Sequence, residues 1–186
     1  MKQSQIEAYV GLLKDYNKIT NVYSKSAYDR LGFHIQDSVC LAACIGNSPK
    51  QILDLGSGSG MPSVILAIQN DQSEITAVES RGRKASFIKD CGKQLGLANL
   101  RVLNVDANTL RPERLGRVDV VTAKAFAKPL DVLTVISKIG LKAGKLWIPA
   151  STTQCEDPGF LEKYRVHEAK WGDELYRYLT RNLAEK

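Results

Sequence analysis

Apolar positions fall into two registers along the chain. Between residues 3 and 18, Ile6, Tyr9, Val10, Leu13 and Tyr16 recur every three or four positions, the period of one face of a helix. Ser26 is placed to cap a short second helix, and residues 35–44 predict a third that closes at Gly46, ahead of the turn residues Asn47, Ser48 and Pro49. Beyond residue 50 the pattern shortens. The runs 51–55, 74–78, 100–104, 118–123 and 145–149 are apolar or β-branched and of strand length, with helical segments between them at 62–70, 81–95 and 129–139. That alternation builds a parallel sheet with helices on both faces. Two last runs, 164–170 and 176–182, flank Trp171, Gly172, Asp173 and Glu174 and predict a closing β-hairpin. No repeat, low-complexity tract or linker interrupts the pattern.

Length and composition narrow the class. A chain of 186 residues, 44% apolar and 25% charged, fits one globular domain with a proper core and excludes disordered, collagenous and disulfide-framework proteins. Its four cysteines form no C-x-x-C pair and there are two histidines, so no metal site is expected and a reducing cytoplasm is. The polar start and the lack of any apolar run of about 18 residues argue against export and membrane insertion. The net charge of +6 is uneven: residues 101–150 hold nine Lys and Arg against four Asp and Glu. This predicts a polyanionic partner on one flank, the alternative being lysines that only solubilise exposed helices.

The candidate chemistry lies after the first strand. In the stretch Asp54, Leu55, Gly56, Ser57, Gly58, Ser59, Gly60, Met61, Pro62, three glycines allow a tight turn and close approach of backbone to a ligand, and Pro62 suits a first helical position. Glycine at such a turn can also serve only to bend the chain. Glu79 ends the second strand 23 residues after Gly56, where a carboxylate can take both hydroxyls of a ribose. A dinucleotide motif would need glycine where Met61 stands. Asp54 would repel a pyrophosphate but suits an ammonium group. A nucleoside joined to an ammonium group, without phosphates, describes S-adenosylmethionine.

His34, Ile35, Gln36, Asp37 and Ser38, the 54–62 loop, Glu79 and Ser80 followed by Arg83 and Lys84, and Ala125, Phe126 and Ala127 together resemble the RsmG (GidB) family of ribosomal RNA methyltransferases. The resemblance runs over nearly the whole chain, the 17–21 segment and the terminal hairpin included. It implies an α/β, Rossmann-like S-adenosylmethionine-dependent methyltransferase fold. The sheet would be mostly parallel and seven-stranded, with a helical extension over 1–46 and the core over 50–186 of a single domain. It also implies methylation of guanine N7 in 16S ribosomal RNA, with ribosomal RNA or the small ribosomal subunit as partner and a monomeric enzyme. Three positions depart from the family pattern: Lys124 stands where arginine is usual, Ser63 replaces a glycine, and residues 147–150 replace a Leu-Lys-Gly element. Lysine keeps the charge at 124 but not the bidentate fork.

Residue roles follow from the resemblance. Asp54, Gly56, Ser57, Gly58, Gly60 and Met61 are expected along the methionine half of S-adenosylmethionine, Glu79 and Ser80 at its ribose, and Asp106 with Ala107 at the adenine edge. Asp106 is equally suited to capping the turn before Leu110. His34 and Asp37, three apart on one helical face, can address a common site, though Asp37 also suits capping or packing. Guanine N7 carries a lone pair and no proton, so no general base is required, and the catalytic candidates Lys124, His34 and Asp37 are read as positioning groups. Lys124 could hold the base through O6 or the flanking phosphates, or be a surface lysine. Cys40 and Cys44 read as core residues. The run Arg81, Arg83, Lys84, Lys89 and Lys93 reads as a solvated helix face or an RNA contact. Two other functions fit the same residues: a small-molecule methyltransferase with residues 1–46 as lid, and a non-catalytic RNA- or ribosome-binding protein.

Overall fold

A computed structural model describes residues 2–184. Helix α1 (Lys2–Ile19) buries Ile6, Tyr9, Leu13 and Asn17 along one stripe, the face its period predicts plus one polar residue. A 3-10 turn (Lys25–Arg30) leads into α2 (Leu31–Ile45). Ser26 lies inside that turn rather than capping it; Ser24 precedes it, and the two hydroxyls hydrogen-bond each other at 2.8 Å. The alternating part follows: β1 (Gln51–Leu55), α3 (Ser63–Gln69), β2 (Glu74–Val78), α4 (Gly82–Gln94), β3 (Leu100–Leu103), β4 (Val120–Thr122), α5 (Pro129–Lys138) and β5 (Lys145–Pro149). Pro62 precedes α3 as its cap rather than opening its first turn. Two short helices, α6 (Thr152–Glu156) and α7 (Pro158–Leu161), come before the hairpin of β6 (Arg165–Trp171) and β7 (Glu174–Asn182). Each short helix starts on a side-chain cap, from Ser151 and Asp157.

Among the described residues seven strands form one sheet in the order β3-β2-β1-β4-β5-β7-β6. β1 to β5 run parallel, and β7 returns antiparallel to β5. Alternation along each strand divides the core in two. Ile52, Ile75, Val120 and Trp147 face a layer made by α1, α2, α3 and α4, whereas Leu53, Leu55, Val121 and Leu146 face α5 with the chain around Cys155 and Phe160. The order reverses between β1 and β4, which is where a sheet of this kind opens a crevice at the carboxyl ends of its strands.

The charges that predicted one basic flank are divided between the two edges of the sheet, with Lys124 at the crevice. Of the nine basic residues in 101–150, Arg117 precedes β4, Lys138 ends α5, Lys142 lies in the loop before β5 and Lys145 opens β5. In a parallel sheet those positions share the amino-terminal edge, away from the crevice. Position in sequence after β3 does not determine the end of the strand on which a residue emerges, and the helix that returns from β4 carries its charges back to the opposite edge.

Candidate cofactor and substrate site

The carboxyl ends of β1, β2 and β4 and the loop after β3 enclose a cleft of about 470 Å³, within the range of small-molecule sites. Its floor is the glycine loop. Gly56, Gly58 and Gly60 all hold left-handed φ angles, +69°, +58° and +87°. A side chain at Gly56 would collide with the Phe126 ring, and one at Gly60 would meet Val64 Cγ2 at 2.6 Å, so these two also have no room for a Cβ. At Gly58 a Cβ would meet only the Gly56 carbonyl, at 3.7 Å, which leaves this part of the loop open to a ligand. The turn is fixed by Ser57 N–H donating to Val78 O at 2.9 Å and Gly60 N–H to Ser57 O at 2.8 Å.

Glu79 closes the loop from the next strand. It is 6% exposed, and its carboxylate accepts from Gly58 N–H at 2.8 Å and Arg81 N–H at 2.7 Å. Asn104 holds the same corner by donating to the Glu79 and Ser80 carbonyls. Two oxygens carry four lone-pair sites, so a carboxylate with two donors retains acceptor capacity for a diol. Glu79, Ser80, Gly56, Ser57, Gly58 and Met61 all line the cleft. Asp106 and Ala107 line it too, and Asp106 also caps a 3-10 turn, its Oδ1 accepting from Asn108 N–H at 2.8 Å and from Asn108 Nδ2 at 3.0 Å. These backbone and side-chain hydrogen bonds from Asn108 hold the exposed Asp106 carboxyl below its ordinary range. Val105 presents an apolar surface, 39% exposed, at the same end.

Asp54 is placed differently from expectation. It is fully buried beneath the loop, and its Oδ1 accepts from Thr122 Oγ1 at 2.8 Å, tying β1 to β4. Among the described residues its Oδ2 makes no well-formed hydrogen bond, and neither does the buried Ser63 hydroxyl close to it. Burial pushes the carboxyl up to about 6, against hydrogen bonds that lower it. It cannot face an ammonium group in the cleft as placed. Gly60 is likewise packed under the loop rather than exposed on its surface.

Lys124, His34 and Asp37 do come together, by contacts the spacing alone could not give. Lys124 Nζ meets Asp37 Oδ2 at 2.5 Å and donates to His34 O at 3.0 Å, with the two charged side chains 13% and 7% exposed. Lys124 is therefore a buried tie between β4 and α2, not a free surface lysine. Tyr178 Oη donates to the Asp37 carbonyl at 3.1 Å, bringing β7 to the same helix. His34 Nδ1 lies 2.9 Å from Tyr23 Oη, whose hydrogen is directed to Ala27 O at 3.0 Å, so the histidine is assigned as the donor through Nδ1. Burial, with the nearby Lys124 and Arg30 charges, lowers its pKa and favours the neutral ring. Ala125, next to Lys124 at the cleft mouth, holds a left-handed φ of +51° without being glycine.

Sequence reasoning missed the supports of this site. Tyr9, read as one more apolar helix position, donates from Oη to Ser59 O at 2.7 Å and holds the loop from α1. Asn17, at 3% exposure, accepts from Val22 and Tyr23 N–H and donates to Tyr23 O, shaping the turn that forms one cleft wall. The buried asparagine on an apolar helix face was the available signal. Arg81 and Lys84 line the cleft, whereas Arg83, Lys89 and Lys93 are exposed on α4 outside its lining. Cys40 is a core residue as read, whereas Cys44 is half-buried at the edge of that core, and burial beside Cys40 pushes its thiol up to about 11. Trp147 packs edge-on against His167 and Tyr178 in the core, while Pro149 and Ala150 reach a second cleft.

A family model described as rRNA small subunit methyltransferase G matches residues 2–157. The chain belongs to the GidB family. Ribosomal RNA small subunit methyltransferase G of Brachyspira hyodysenteriae is 34% identical over 146 residues, 78% of this chain and 69% of that protein. The protein of the same name from Francisella philomiragia is 36% identical over 129 residues, 67% of this chain and 60% of the relative. The chain thus spans about two thirds of the length of the relatives it matches. The GidB match ends before β6, so the hairpin, expected to share in the resemblance, lies outside it. The fold extends further than the sequence match. Precorrin-6y C5,15-methyltransferase from Geobacter metallireducens superposes with a TM-score of 0.57 at 21% identity, covering 77% of this chain and 85% of that one. TYW2 of M. jannaschii, solved in complex with AdoMet, does so with 0.58 at 13% identity over 85% and 75%. The architecture is the Rossmann-like methyltransferase fold.

Proposed function

We propose that the chain is an S-adenosylmethionine-dependent methyltransferase that modifies N7 of a guanine in 16S ribosomal RNA. The observation that carries the reading is the Gly58–Glu79 clasp, an open left-handed glycine beside a buried carboxylate, inside the span matched by the GidB family. S-adenosylmethionine would supply an electrophilic methyl group on a sulfonium. The chain's own contribution is position. Gly56, Ser57, Gly58 and Met61 form the floor under the amino-acid half, Glu79 and Ser80 receive the ribose, and Val105, Asp106 and Ala107 border the adenine. An ammonium group in this cleft is taken by loop carbonyls, with Asp54 stabilising the loop from below. Lys124, Asp37 and His34 set the wall on the substrate side and move no proton, because N7 has none to lose.

The other readings lose support at particular residues. Residues of α1 and α2 share a continuous core with α3, which supports reading them as a fixed part of the unit rather than a lid, and residues 1–186 are read as one domain. Lys124 makes a buried ion pair at the cleft wall and Trp147 packs in the core, which favours reading their departure from the family pattern as a change of support rather than the loss of an active site. No helix among the described residues is long and apolar enough to cross a membrane, and the reading places a monomer with ribosomal RNA in the cytoplasm. The test is transfer of labelled methyl to naked 16S RNA, free small subunits and assembled ribosomes in parallel, with the modified nucleoside identified. Glu79→Ala should weaken cofactor binding by about 1.5–3 kcal/mol. Transfer to none of the three substrates would overturn the reading.

A further inference from the structure

A second cleft, of about 530 Å³, adjoins the first and shares His34, Lys124 and Ala125 with it. It lies over the carboxyl ends of β4 and β5, across the sheet from the adenine end of the first. Its far wall is aromatic. Phe33, 38% exposed at the start of α2, stacks on the buried Tyr176 of β7 with centroids 5.3 Å apart and planes 27° from parallel. The guanidinium carbon of Arg30 lies over the same ring, 5.3 Å from its centroid. The lining carries Arg30, Lys124 and Arg177 against Asp37, which Lys124 already neutralises. Arg177 is held in place by Glu168 at 2.8 Å and Thr152 at 2.9 Å, whereas Arg30 is exposed.

A partly exposed ring fixed on a rigid aromatic neighbour, with an exposed arginine over it that a base can displace onto a phosphate, is an arrangement on which single-stranded nucleic acid stacks a base. We propose that Phe33, backed by Tyr176, is the stacking platform for the base next to the reacting one, with Arg30 turning onto the adjoining phosphate. The inference rests on the RNA reading above. The reacting base must touch the wall common to both clefts, His34, Lys124 and Ala125, because only there does the second cleft meet the cofactor site. Phe33 lies beyond that wall, so the ring receives the neighbour. This stack asks the substrate strand to be unpaired over at least two nucleotides. Charge complementarity favours a polyanion over an apolar peptide in this cleft, and the aromatic face favours bases over a bare phosphate chain.

The experiment uses Phe33→Leu, which keeps an apolar contact with Tyr176, and Phe33→Tyr, which keeps the ring. Methyl transfer is measured on 16S RNA, or on small subunits if those are the better substrate, together with calorimetric binding of S-adenosylhomocysteine. Phe33→Leu should raise the KM for RNA by about tenfold, the scale of one base–aromatic stack, with cofactor affinity unchanged and Phe33→Tyr near wild type. Arg30→Gln should make the slope of log affinity against log salt shallower by about 0.7, which neither Phe33 variant does. An RNA KM within twofold of wild type for Phe33→Leu, or a matching loss of cofactor affinity, would overturn the platform. Wild-type protein that transfers methyl to no RNA would overturn the RNA reading and the platform with it.

Discussion

Asp54 shows how one side chain can satisfy a sequence pattern and still act by another route. The acidic position two residues before the first glycine invites pairing with a cationic ligand, yet the carboxylate is sealed under the loop and bonded to Thr122. Its folded pKa of about 6 lies above the ordinary 3.8, a difference of about 3 kcal/mol at roughly 1.36 kcal/mol per pKa unit. Since the folded value is raised, the protonated form is favoured in the native state. The associated stability is present below about pH 4 and is lost as pH rises through about 6. An asparagine at this position has no proton to lose and stays neutral throughout. Asp54→Asn is therefore expected to gain stability relative to the wild type between about pH 4 and pH 7.5, by about 2–3 kcal/mol, in urea unfolding followed at a series of pH values. A difference that stays constant with pH would mean that the carboxyl titrates normally.

Between elements, the contact that joins the end of β4 to the middle of α2, on the side proposed to receive the substrate, is the Lys124–Asp37 pair. Removing one partner leaves a buried charge without its counterion, a loss of about 3–5 kcal/mol, whereas removing both in favour of apolar groups is often close to neutral. Lys124→Met and Asp37→Leu should each destabilise strongly and the double variant much less than their sum, read as a double-mutant cycle by thermal or urea unfolding. The sequence made the elements themselves legible: β1, β2 and β5 fall at their predicted bounds, because apolar runs bounded by turns and glycines leave little choice of register. It also made legible the loop and Glu79, whose spacing is local to one strand–helix–strand unit. What it hid were the long-range partners. Tyr9 reaches Ser59 across 50 positions and Lys124 reaches Asp37 across 87, and no period in the chain encodes such a pairing. The short helices α6 and α7 were hidden for a different reason, since five and four residues carry too few turns to show a period.

For the whole molecule, the question is which of its charges meet RNA. The count in 101–150 pointed to a basic flank, but the sheet divides those residues between its two edges, and the crevice receives Lys124 while Lys138 and Lys142 lie at the opposite edge. Electrostatic attraction between exposed charges decays over roughly 8 Å at physiological ionic strength, so lysines at the far edge contribute little to a contact made at the crevice. The edge of the sheet, not the total charge, should therefore set the effect of each substitution. Both lysines are exposed, so removing their charge leaves the core intact. The double variant Lys138→Gln with Lys142→Gln lowers the net charge by two, and it is expected to leave the RNA KM and the turnover within about twofold of wild type and the salt slope of RNA binding within about 0.3. Arg30→Gln, one charge at the crevice, should exceed it in all three measurements. If the far-edge pair instead makes the salt slope shallower by more than about one, that edge binds RNA phosphates, and the substrate wraps beyond the crevice.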